Sequence, residues 1–106
     1  MAAAPLGALV RRLHDLAAAE AERERSDRQL LAQFAESGDP AAFAALVRRH
    51  GRLVLGTCRH VLRQEQDAED AFQAVFLVLA RKAASVRTDA LGAWLHGVAY
   101  RVALRA

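Results

Sequence analysis

Asp67, Asp70 and Gln73 stand three residues apart in the stretch "DAEDAFQAVFLVLARKA", which Arg81 and Lys82 close near its end. At about 100° per residue, a helix here puts Ala68, Phe72, Val75, Phe76, Leu79 and Ala83 on one side. The opposite side collects Asp70, Gln73, Ala74, Leu77 and Arg81. The first side is ample for the core of a small domain. The second has an apolar centre, Ala74 and Leu77, and a polar rim, which is the make-up of a protein-docking strip rather than of a reactive site. Asp67 and Asp70 have a local explanation as well. They fall in the first turn, where the helix dipole favours acids and Asp67 can cap. That accounts for the carboxylates but not for Leu77 beside Ala74, which leaves two readings: the strip meets a partner, or the N-terminal helix covers it.

The other reactive residue types do not assemble. The four histidines, His14, His50, His60 and His96, and the single Cys58 have no ligand-pair spacing. Cys58 and His60 are two apart on a helix, so their side chains diverge. Cys58 is expected to be a small buried hydrophobe, and His50, on an apolar stripe, a satisfied core or boundary residue. There is no glycine-rich phosphate loop and no nucleophile–base pair in a plausible pocket. No enzyme, metal or cofactor is expected.

Charge points elsewhere. The chain is +3 overall, but residues 79–106 carry five basic residues, Arg81, Lys82, Arg87, Arg101 and Arg105, against one acid, Asp89. A polyanion at the C-terminal end would use that excess.

The elements that must position these residues are all helices. The chain has 106 residues, 54% hydrophobic and rich in Ala, with two Pro and few aromatics, the profile of one small all-α domain. Five helices are expected. The first runs from about Pro5 to Arg25, with Leu6, Leu9, Val10, Leu13, Leu16 and Ala17 in a stripe and a charged tail, "EAERER", that frays. The second runs from about Asp27 to Glu36, with a capping box from Ser26 and Gln29 and a stop at Gly38. The third starts on Asp39 and Pro40 and reaches about Arg63. Phe43, Leu46, Val47, His50, Val54, Cys58 and Val61 form its inner face, and Arg48, Arg52, Arg59 and Arg63 a solvated outer one. The fourth is the stretch quoted above. The fifth runs from about Asp89 to the end, capped at Thr88 or Asp89, with Leu91, Trp94, Leu95, Val98, Ala99 and Val102 inward. No apolar run reaches a membrane span of about 18 residues, and no membrane partner is expected. One cysteine and no convincing signal peptide give a cytoplasmic expectation.

Residues Ser26 to Ala106, and above all "DAEDAFQAVFLVLARKA" joined to "LGAWLHGVAYRVALRA", resemble region 2 of the bacterial sigma-70 factors. The nearest likeness is to the extracytoplasmic-function group in its planctomycete form. The resemblance implies a helical bundle of the sigma region 2 type over residues 26–106, and residues 1–25 lie outside it as an N-terminal helical extension, which gives four to five helices in all. It implies that Asp67, Asp70, Gln73, Ala74 and Leu77 dock on the clamp helices of the largest subunit of core RNA polymerase. The family often has an acid where Ala74 stands, so an apolar docking centre replaces a salt bridge there.

The same resemblance assigns the loop from Ala84 to Gly92 and the last helix to the non-template strand of the promoter's minus-ten element, with one base flipped into a pocket built by the loop. Arg81, Lys82 and Arg87 would hold phosphates. Ser85, Thr88 and Asp89 would meet the base edge. His96 and Tyr100 would stack on or touch bases, with Arg101 and Arg105 on the backbone. The aromatic pair that wedges the duplex in housekeeping factors reads Ala93–Trp94, with Trp94 expected in the core. The region that reads the minus-thirty-five element is expected to be absent, and an anti-sigma factor is a candidate partner for the first helix. The competing function is a helical interaction module that binds a partner but no DNA. Salt-sensitive, sequence-dependent capture of a minus-ten single strand in the presence of polymerase separates the two.

Overall fold

The computed structural model describes residues 5–106. Its elements are α1 (Leu6–Glu24), α2 (Asp27–Ser37), α3 (Pro40–Val61), α4 (Glu65–Lys82) and α5 (Leu91–Arg105). The fold is all-α, as expected, and there is no strand among the described residues.

Local chemistry sets most of the helix ends. The Ser26 side chain accepts from the Gln29 N–H at 3.1 Å, and the Gln29 side chain accepts from the Ser26 N–H at 2.8 Å. This reciprocal box starts α2. Gly38, at φ 67°, ends it in the left-handed region that glycine enters without strain. Asp39 accepts from the Ala41 N–H at 2.9 Å, and Pro40 fills the first position of α3.

α3 is the central element, packed against α2, α4 and α5, while α4 and α5 also pack on each other. Leu30 of α2, Leu46 and Val54 of α3, Val75 and Leu79 of α4, and Leu91 and Leu95 of α5 are fully buried. Each buried leucine contributes about 1.5–3 kcal/mol relative to exposure. Ala42, Ala45, Ala68, Ala71, Ala99 and Ala103 are buried beside them. Their small side chains let helix backbones approach closely. Phe34, Phe43, Phe76 and Phe72 form an aromatic chain in that order, with successive ring centroids 4.7, 6.3 and 5.1 Å apart.

Several expectations need correction. α1 begins after Pro5, which is its N-cap rather than its first residue. The charged tail of α1 does not fray: it stays helical through Glu24 because Arg48 pairs with Glu22 at 2.6 Å and Arg49 donates to the Glu22 carbonyl. α4 begins two residues before Asp67, at Glu65, so Asp67 is not its cap and Asp70 lies beyond its first turn. Arg59 holds Glu65 across the α3–α4 turn. The hydrogen bond from Arg59 holds the Glu65 carboxyl below the usual range and raises the guanidinium in turn. α5 starts at Leu91, without a side-chain cap. Thr88 accepts from the Ala90 N–H at 2.9 Å, one residue short of the helix. The inner faces also include Ala42, Ala45 and Thr57 of α3, Ala71 of α4 and Ala103 of α5, which the periodicity omitted.

His50 and Cys58 lie as expected. The His50 side chain is 15% exposed and its Nε2 is 2.9 Å from Asp27 Oδ2, a contact that ties the start of α2 to α3. Cys58 is fully buried, and desolvation pushes its thiol up. Trp94 is half-buried against the core rather than sealed within it.

Candidate functional site

The outer strip of α4 is open. Asp67, Asp70, Gln73 and Arg81 are exposed, Ala74 is half-buried and Leu77 is 52% exposed. α1 does not cover it. The last turns of α1 lie on α3 instead, where Ala19, Glu22 and Arg23 face Ala45, Arg48 and Arg49. Asp70, at the head of the strip, keeps to its own helix, with Gln66 Nε2 donating to its Oδ1 at 3.1 Å. Beside them a shallow cleft of about 420 Å³ runs between Asp67, Asp70, Ala71 and Ala74 on one side and Val102 and Arg105 on the other.

The basic residues divide among three places. Lys82, Arg101 and Arg105 come together in a groove between α4 and α5, with Val78, Trp94 and Val98 as its apolar wall. Arg101 lies back along its own helix. A Cβ at Gly97 would meet its Nη1 at 3.3 Å, so the absence of a side chain at Gly97 makes room for the guanidinium. Arg105 borders both this groove and the acidic cleft.

His96 and Tyr100 lie on the other flank of α5. They face Arg52, Leu53 and His60 of α3 across an open groove of about 570 Å³. The sequence places His96, Tyr100, Arg101 and Arg105 on one helix, but the structure sends the two pairs into different grooves. Leu53 and Tyr100 are 43% and 46% exposed, so this groove offers apolar and aromatic surface next to Arg52.

Arg87 and Thr88 belong to the third place, a groove of about 440 Å³ between α2 and the segment after α4. Arg28 and Glu36 of α2 line it too. Ser85 does not: it is exposed, and its hydroxyl donates to the Lys82 carbonyl at 3.0 Å. Asp89 is paired with Arg28 at 3.4 Å. Both are well exposed, so this pair is weak and readily exchanged.

A family model described as Sigma-70 region 2 matches residues 46–106. The chain belongs to the sigma-70 region 2 family. No curated protein and no solved structure matches it. A sigma-70 region 2 domain is a transcription initiation factor domain, one that acts with core RNA polymerase and promoter DNA and takes part in opening the promoter. The matched residues span most of α3, all of α4 and α5 and the loop between them, so every residue singled out from the sequence as a contact lies inside the sigma match. No helix among the described residues is long and apolar enough to cross a membrane.

Sequence reasoning missed the share of α2 and α3 in these surfaces. Arg28, Ala32, Ala35 and Glu36 recur at helical spacing on the outer face of α2. That pattern marks a face with small residues at its centre. Nothing in it says that the loop after α4 stands opposite.

Proposed function

We propose that this sigma region 2 chain belongs to the extracytoplasmic-function group in its planctomycete-like form, that residues 26–106 are its working domain, and that it acts in the cytoplasm. Its task is to dock on the clamp helices of the polymerase's largest subunit and to hold the opened non-template strand of the minus-ten element. Asp67, Asp70, Gln73, Ala74 and Leu77 make the clamp contact. Lys82, Arg101 and Arg105 hold phosphates in the α4–α5 groove, with Arg81 and Arg87 extending that track. Tyr100 and His96 meet bases on the opposite flank of α5. A base turned out of the strand enters the groove that Thr88 and Arg87 line, and Ser85 meets it only by leaving its bond to the Lys82 carbonyl. Binding and distortion of DNA do the work, and the chemistry is the polymerase's.

The observation that carries this reading is the free outer strip of α4. Leu77 is 52% exposed and Gln73 is exposed on a helix whose other face already supplies Val75, Phe76 and Leu79 to the core. A half-apolar strip that the bundle does not use is a surface kept for a partner.

The test is a double substitution, Asp70→Ala with Gln73→Ala. Both side chains are exposed, so helical content by circular dichroism should stay unchanged. Capture of core RNA polymerase by the tagged chain should weaken about tenfold or more. Undiminished capture would remove the docking claim.

A further inference from the structure

The groove between α2 and the loop is built as a slot. Ala32 and Ala35 line it from α2, and Ala83 and Ala84 from the end of α4 and the loop. Their methyl groups give the groove apolar walls on both sides. Leu31 and Val86 add apolar surface. The volume of about 440 Å³ falls within the range of about 300–1,000 Å³ usual for small-ligand sites. Two guanidinium groups, Arg28 and Arg87, line the same slot. That combination suits a planar base between methyl walls with its flanking phosphates on the arginines.

Glu36 is the carboxylate among the lining residues, and it takes part in no ion pair among the described residues. An ionised carboxylate only accepts hydrogen bonds. Adenine, cytosine and guanine offer it an exocyclic amino group. Thymine offers one ring N–H set between two carbonyl oxygens, which repel the carboxylate. Phosphate is repelled too, so Glu36 turns the base edge toward the C-terminal end of α2, while Arg28 near the other end of the helix is left for the backbone. The Arg28–Asp89 pair, at 3.4 Å and well exposed on both sides, is a contact that an incoming phosphate can replace.

We infer that Glu36 of α2 is a specificity-determining residue of the base slot, selecting an unpaired base that bears an exocyclic amino group against thymine. This inference rests on the DNA-holding role proposed above, and the experiment separates the two. The whole chain, bound to core RNA polymerase, is offered a pool of single strands randomised over the minus-ten length, and the retained strands are sequenced.

Thymine should be depleted about tenfold at one position, a single charged hydrogen bond's worth of discrimination. In Glu36→Gln the side chain can also donate to a carbonyl oxygen, so thymine should recover to within about twofold at that position, with other positions unmoved. Glu36→Ala should lose the preference there as well, while polymerase capture and helical content stay as in the parent. An identical base ranking in parent and Glu36→Gln complexes, both retaining strands, overturns the role of Glu36 and leaves the DNA-holding reading standing. Complexes that retain no strands overturn both.

Discussion

Cys58 is sealed in the core, where α3 meets its neighbours, and burial pushes its thiol up. Because the folded chain keeps the thiol neutral, the unfolded chain releases its proton first. The stability tied to the neutral thiol is complete below the ordinary thiol pKa of about 8.5 and is lost as pH rises through the raised value. Urea unfolding at pH 7 and pH 10 should therefore show a larger loss in the parent than in Cys58→Ala, and equal losses would contradict this account. A disulfide-forming reagent should react with Cys58 far more slowly in the folded chain than in urea. At this scale the sequence was a good guide where a residue's own chemistry decides its place. Cys58 as a small hydrophobe, His50 as a partnered boundary residue and Leu77 as an outward apolar side chain could all be read from helical period. Asp67 could not, because the turn that precedes it is held by Arg59 and Glu65, a pair of residues set six apart, and that contact starts the helix two residues early.

Among the elements, α3 carries an internal weakness that a substitution can remove. Gly56 sits in its interior, exposed, and a Cβ added there would meet nothing within 4 Å. Gly56→Ala should stabilise the domain by about 0.5–1 kcal/mol, read as a higher urea midpoint with unchanged slope. Gly38→Ala should do the reverse despite equally open space. Its φ of 67° places a Cβ against the following carbonyl, at about 1–2 kcal/mol. α1 and α4 show how far periodicity carries. Both have clear apolar stripes in the sequence. The stripe of α4 is buried, while that of α1 is not: Leu6, Leu9, Val10, Leu13 and Leu16 are each at least half exposed, and α1 buries no residue. Period alone identifies a face that prefers an apolar neighbour, but whether the fold provides one depends on where the connection leads. Between α1 and α2 only Arg25 and Ser26 intervene, and the contacts of Glu22 with Arg48 and Arg49 set the end of α1 on α3 with its stripe turned away from the core.

For the molecule as a whole, the bundle of α2 to α5 stands without the start of α1. Removing residues 1–18 keeps Ala19 and Glu22, the positions of α1 that touch α3. The shortened chain should unfold cooperatively, with a stability within about 0.5 kcal/mol of the parent by urea titration. A collapse of the transition would mean that the exposed stripe supports the fold. Helix number, the capping box at Ser26, the stop at Gly38, the inner faces of α3 and α4 and the basic bias of the last quarter were all fixed by residues within one or two turns of each other, and such local chemistry is written in the chain itself. Tertiary packing decided the rest. It left the outer strip of α4 open, divided the basic and aromatic residues of α5 between two flanks, and set Arg28 and Glu36 across from Arg87 and Thr88 to form a slot. Those arrangements depend on which helix α3 receives on each side, a matter of long-range burial among alanines and leucines whose pattern fixes a face but not its neighbour.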